Sequence, residues 1–175
     1  MDGSARRGRT WTGTIGPAGG TATAGGTATA RRVAPIDWPV ARRALRACDP
    51  ARVLARRVGA ADALVLRAGP RVRPDGPALA AILAALPAGR TVIVSLPHPA
   101  WEDDAILAIL GARGALLAAE LGPATPDPVL RRTCDGVALL VAPGVQPGSA
   151  WGRRLAAFTD AGYDAWVLTS EAPRR

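Results

Sequence analysis

The chain has no lysine and no asparagine, and all 22 of its basic residues are arginine. Without lysine there is no P-loop lysine for a nucleotide phosphate, no amine for a Schiff base or for pyridoxal phosphate, and no Ser-Lys dyad. Cysteine is nearly as scarce. Cys48 and Cys134 are too few for a disulfide framework in 175 residues, and neither stands at a metal-ligand spacing. They are expected to be small buried or capping apolar groups. The single histidine, His98, removes the usual structural zinc sets, so no metal site is expected. Aromatic residues make up only 4% of the chain, so its core must be built from Leu, Val, Ile and Ala. No apolar run reaches the roughly 18 residues that a membrane-spanning helix needs. The N-terminal arginines are not followed by the apolar stretch of a secretory signal, and a cytoplasmic protein is expected.

Arginine, alanine, glycine and proline are abundant instead, the coding habit of a GC-rich genome. Charge is spread unevenly. Residues 1–60 hold eleven arginines against Asp2, Asp37 and Asp49, a net +8, whereas residues 61–175 hold eleven of each sign. This imbalance admits a nucleic acid or an anionic membrane surface as partner for residues 1–60. Within it, Arg42, Arg43 and Arg46 are candidate anion-binding residues, with Arg52, Arg56 and Arg57 on the next helix. No aromatic interleaving or helix-turn-helix pattern accompanies them. Residues 1–30 are rich in Gly, Thr and Ala, and Gly-Gly-Thr-Ala-Thr-Ala occurs twice in succession, at 19–24 and 25–30. Such a stretch cannot offset its ordering entropy with buried side chains. A flexible arm over 1–37, translated upstream sequence, or a β-ribbon are the readings open for it.

From Trp38 onward the texture changes. A short basic helix is predicted over 39–47, and Asp49-Pro50 predicts a capped second helix that ends at Gly59. Apolar runs then follow at 63–66, 91–96, 115–119, 137–142 and 165–169. Each is short, continuous and bounded by Gly, Pro or Asp, the pattern of strands buried on both faces. Helices are predicted between them at 76–86, 101–110, 127–134 and 149–161. The alternation predicts a single α/β domain over 38–172. It would be a three-layer, Rossmann-like fold with a mostly parallel five-stranded sheet and helices on both faces.

Ligands of open parallel sheets sit beyond the carboxyl ends of the strands. Residues there include Arg67, Ser95, His98 and Glu120. The segment 95–104 is the densest in functional groups. It makes His98 a candidate general base oriented by Asp103 or Glu102, with Ser95 as nucleophile or ligand contact, and Glu120 at the end of a later strand is a further catalytic candidate. Against this, Pro97 and Pro99 stiffen the loop, and its acids suit the start of a following helix. Arg67 is the candidate anion-binding residue beside them. No glycine-rich phosphate loop follows a strand, and no cofactor is expected.

The stretch Glu120-Leu-Gly-Pro-Ala, then Asp127-Pro-Val-Leu-Arg-Arg-Thr-Cys, then Asp135-Gly-Val-Ala-Leu-Leu-Val-Ala-Pro-Gly144 is followed by an amphipathic segment and Gly-Tyr-Asp-Ala-Trp-Val-Leu-Thr. It resembles the C-terminal half of the MinD/ParA-like P-loop ATPases, in particular the tyrosine-kinase type of bacterial polysaccharide export. The resemblance covers residues 120–169. It implies a nucleotide-binding-like fold whose Walker A lysine is missing, and whose magnesium-side aspartate is replaced by Glu120 or Ser95. No catalytic residue of that family can therefore be carried over. Three functions are expected from these features. The first is a non-catalytic regulatory or adaptor protein acting through contacts with a protein partner, a membrane or the chromosome. The second is a small enzyme acting on an anionic metabolite at the strand ends, and the third, sequence-independent nucleic-acid binding, rests on charge.

Overall fold

Continuous apolar runs become strands when both of their faces find cover, and here all five do. The fold comes from a computed structural model and is described for residues 11–15, 29–123, 125–134, 136–142, 145 and 149–170. In chain order the elements are β1 (Trp11–Ile15), β2 (Thr29–Asp37), α1 (Trp38–Ala44), α2 (Pro50–Val58), β3 (Ala63–Arg67), α3 (Gly76–Ala85) and β4 (Thr91–Ser95). A 3-10 turn (Pro99–Trp101) precedes α4 (Asp104–Arg113), β5 (Leu116–Leu121), β6 (Gly136–Val141), α5 (Ser149–Asp160) and β7 (Asp164–Ser170).

The chain adopts the expected α/β class, with a parallel sheet and alternating helices, but the sheet has more strands than five. Strands β2 to β7 run parallel in sequence order. β1 pairs antiparallel with both β2 and β7 and closes the sheet into a barrel. β2 begins at Thr29, inside the stretch read as an arm. It is held there because Val33 and Ile36 are buried and because its backbone pairs with β3 from Val33 to Asp37. The pairing of Trp11–Ile15 with residues 29–33 is a β-ribbon. Residues 1–10 and 16–28 lie outside the described residues.

Alternation along each strand sorts the side chains into two sets. Val33, Ala63, Val65, Ile93, Leu116, Ala118, Ala138, Leu140, Trp166 and Leu168 point inward and pack on one another. Trp166, 1% exposed, is the largest of them, so the barrel is filled and is not a pore. The alternate residues point outward. Ile36, Leu64, Leu66, Val92 and Val94 pack against α1 to α4, and Val137, Leu139, Val141 and Ala165 against α5. Each buried Leu, Val or Ile contributes about 1.5–3 kcal/mol relative to exposure.

The helices start where the sequence says they should. Asp49 accepts from the Arg52 N–H and Asp75 from the Ala78 N–H, both at 2.9 Å, ahead of a proline in the first turn of each helix. Gly114 ends α4 with φ at 66°, a left-handed conformation that costs a side chain strain, and this keeps α4 and β5 from merging into one helix. The helix predicted over 127–134 does not form. Asp127 pairs with Arg154 instead of capping, and the Thr133 hydroxyl accepts from Leu117 N and donates to Ala115 O. Those bonds tie the segment along β5 as an extended strap. Cys48 is exposed and Cys134 half-buried, both free, so Cys48 departs from the expected burial.

Candidate functional site

The inward set of each strand can be followed past the apolar core to the carboxyl end of the barrel. There it turns polar on four consecutive strands. Val33, Pro35, Asp37 on β2; Ala63, Val65, Arg67 on β3; Ile93, Ser95 on β4; and Leu116, Ala118, Glu120 on β5 share one parity. Asp37 is the register partner of Arg67, and Arg67 that of Ser95. Neighbouring strands lie about 4.8 Å apart, so these groups occupy one rim. In parallel α/β barrels this rim, not the amino-terminal one, is where chemistry is placed.

Three of the residues singled out from sequence therefore meet. Ser95 is fully buried, and its hydroxyl donates to Glu120 Oε1. A buried hydroxyl needs such a partner, because an unsatisfied one costs about 1–3 kcal/mol. The bond fixes the orientation of a half-buried carboxylate whose second oxygen has no hydrogen-bond partner among the described residues. Arg67, half-buried, stands one strand away from Ser95 on the same face. The combination puts a hydrogen-bonded carboxylate and, two strands away, an arginine with an interaction of its own on one rim.

His98 is placed differently. Its Nδ1 accepts from the Ala100 N–H at 3.1 Å and caps the 3-10 turn. Among the described residues no hydrogen bond joins it to Ser95 or Glu120. The acids beside it serve the local fold as well. Asp103 caps α4 by accepting from Ala105 N at 2.8 Å, and Glu102 pairs with Arg131 at 2.6 Å. Trp101 is buried against Trp38 with ring centroids 5.2 Å apart, and its indole N–H donates to Val72 O.

A crevice of about 240 Å³ opens beside Glu120, between the loop after β4 and the strap after β5. Leu96, Trp101, Glu102, Val129 and Arg131 line it with Glu120. It is smaller than the roughly 300–1,000 Å³ of drug-sized pockets, and suits a ligand of a few heavy atoms. Arg67, Ser95 and Asp37 do not line it, so Glu120 is where crevice and rim meet. A second cavity, about 330 Å³, lies at the amino ends of the strands around Arg90, Cys134, Gly136 and Asp164.

The other candidate anion-binding residues sit apart from the rim. Arg42 on α1 pairs with Asp75, the cap of α3. The backbone N–H of Ala78 holds the Asp75 carboxyl below its ordinary value against the opposing effect of burial, and the Arg42 guanidinium adds to the lowering. Arg43 and Arg46 are exposed and have no ion pair among the described residues. No group of three His, Cys, Asp or Glu able to hold a metal occurs among the described residues.

Asp37 was not among the residues that sequence reasoning brought to the site. Its strand lay in the stretch read as an arm, so its end was not counted with the strand ends. The available signal was the Val33, Ile36 pattern running into Asp37-Trp38-Pro39. No family model, no curated protein and no solved structure matches the chain.

Proposed function

We propose that the protein is a small enzyme acting on an anionic metabolite at the carboxyl-end rim of its barrel. Glu120 is the acid–base group, Ser95 orients it, and Arg67 seats the anion. The observation that carries the reading is the buried Ser95 hydroxyl bonded to Glu120, one strand from Arg67 on the inward face. A serine donating to a carboxylate fixes the carboxylate's geometry before substrate arrives, which is what a general base requires. Glu120 would take the proton from a ligand O–H, N–H or acidic C–H, and return it after the bonding change. Arg67 would hold the ligand's carboxylate or phosphate through charge-assisted hydrogen bonds. The crevice beside Glu120 supplies room for a small ligand only.

The test is a thermal-shift and calorimetric screen of small carboxylates and phosphates against the intact chain, followed by variants with the best ligand. Arg67→Ala is expected to weaken binding by about tenfold to a hundredfold. Glu120→Gln is expected to leave affinity within a few-fold and to lower turnover by about 10²–10⁴. Ser95→Ala should lower turnover less than Glu120→Gln does. Ligand binding that none of the three changes would remove the rim as the site.

A further inference from the structure

We infer that the crevice beside Glu120 is a site for a small primary ammonium carried on a short apolar body. The Glu120 carboxylate holds it, and the Glu102–Arg131 pair keeps that carboxylate open to it. Such a site goes beyond the anion reading of the rim and makes no use of Arg67 or Asp37.

Glu120 supplies the charge. One of its oxygens accepts from the buried Ser95 hydroxyl, and the other makes no hydrogen bond or ion pair among the described residues. An ionised carboxylate has about four acceptor positions, so one bond leaves most of its capacity unused. The side chain is half-buried and lines the crevice with Leu96, Trp101 and Val129. The side chains of Leu96 and Val129 have no donor to offer, and the indole N–H of Trp101 is given to Val72 O. A carboxylate partly withdrawn from water beside apolar walls gains more from a cationic donor than an exposed one does.

The charged neighbours do not meet that need. Among the described residues lining the crevice, only Glu102 and Arg131 carry charge besides Glu120, and these two pair with each other at 2.6 Å. Ala124, the one residue of 96–131 outside the described set, bears no charge, nor does any residue of 143–148 after the neighbouring β6. The Glu102–Arg131 pair is partly exposed and contributes little stability by itself. Its effect is to engage the one cation among the described lining residues away from Glu120. An entering anion then meets the Glu120 carboxylate with Arg131 already taken, whereas an ammonium meets an acceptor with unused positions. The volume of about 240 Å³ limits the rest of the ligand to a few heavy atoms.

The experiment titrates the full chain by calorimetry with three probes of one size: propylamine, propanol and propionate. Propylamine is expected to bind at least about tenfold more tightly than propanol, and propionate more weakly than either. Glu120→Gln keeps an acceptor for the Ser95 hydroxyl, so it should leave the melting temperature nearly unmoved while reducing propylamine to the level of propanol. Glu102→Gln releases Arg131 toward Glu120 and should weaken propylamine by about twofold to fivefold. Arg131→Gln should tighten it. A pair that only braced the crevice would give both substitutions the same sign, so opposite signs are the signature. A propylamine preference untouched by Glu120→Gln, or like effects of Glu102→Gln and Arg131→Gln, would overturn the inference. So would the absence of propylamine binding by the wild type at millimolar concentration. If propylamine fails while propionate binds and is lost in Arg67→Ala, the crevice site is removed and the rim reading stands. If propylamine binding is lost in Glu120→Gln while no anion responds to Arg67→Ala, the rim reading is removed and the crevice site stands.

Discussion

Asp75 shows how one side chain serves two elements here. It accepts from Ala78 N at the start of α3 and pairs with Arg42 of α1. Both partners favour the ionised form, so its folded pKa lies below its ordinary value of 3.8. A carboxyl depressed on folding stabilises the folded state above its unfolded pKa, and that contribution is lost as pH falls through the folded one. Acid unfolding of the wild type should therefore steepen below its ordinary value, not at neutral pH. Asp75→Asn keeps a capping side chain but loses the charge. It should change the melting temperature little in acid and lower it modestly at pH 7, so that the pH dependence flattens. Melting curves between pH 2.5 and 7 check this, and an unchanged pH profile would mean that Ala78 N–H and Arg42 do not hold the Asp75 carboxylate in solution. Arg113 acts in a similar bridging way without a carboxylate. Its guanidinium donates to the Leu83, Leu86 and Pro87 carbonyls at the end of α3, groups that a helix terminus leaves unpaired.

Among the elements, those with a local physical code were legible in the chain and those set by distant partners were not. Asp49-Pro50 announced α2 because an aspartate cap and a following proline need nothing from elsewhere, and the five continuous apolar runs announced β3 to β7. Asp127-Pro128 carries the same local code but makes no helix. Thr133 bonds to Leu117 and Ala115, and Asp127 goes to Arg154, partners far away in sequence. β2 was hidden because Arg31, Arg32 and Pro35 dilute its apolar pattern, and with it went Asp37. Burial of both strand faces was read correctly. Its means were not, since one face is covered by helices and the other by the barrel closing on itself. At the site, Ser95, Glu120 and Arg67 were legible as strand-end residues, but their shared parity needed the register. Strands β6 and β7 approach closely at Gly136, where a Cβ would stand 2.7 Å from the Asp164 carbonyl oxygen. Gly136→Ala should therefore force β6 from β7 and destabilise the fold by about 1–3 kcal/mol. Urea unfolding measures it, and a loss of under a few tenths would show that the β6–β7 pairing is looser than described.

At the scale of the whole molecule, two charged features occupy different surfaces. The rim carries side chains of both signs at the carboxyl ends of β2 to β5. The arginines of α1 and α2 lie on the outer, helical side. Arg43, Arg46, Arg52, Arg56 and Arg57 are exposed there, and the first turns of both helices contain no acid. Arg52 and Arg56 are four apart on one helix, a like-charge spacing that costs an isolated helix a few tenths of a kcal/mol. α2 tolerates it because Leu54 and Val58 anchor the opposite face in the core. Among the described residues the only large exposed apolar side chain is Val129, which lies on the strap and not on this face. A membrane surface is held durably by charge together with an apolar anchor, and α1 and α2 offer charge alone. A phosphate backbone requires only the charge. If the face binds nucleic acid, affinity for a short duplex of arbitrary sequence should fall linearly with salt on logarithmic axes, with a slope of about −0.9 per phosphate neutralised. Replacing Arg52, Arg56 and Arg57 by Gln should reduce that slope by about two to three and weaken binding to every sequence equally. Arg67→Ala should not alter it. Fluorescence anisotropy across a salt series reads both numbers. A slope unchanged by the triple substitution would place any duplex binding elsewhere in the chain. A loss that depends on the duplex sequence would contradict backbone recognition by this face.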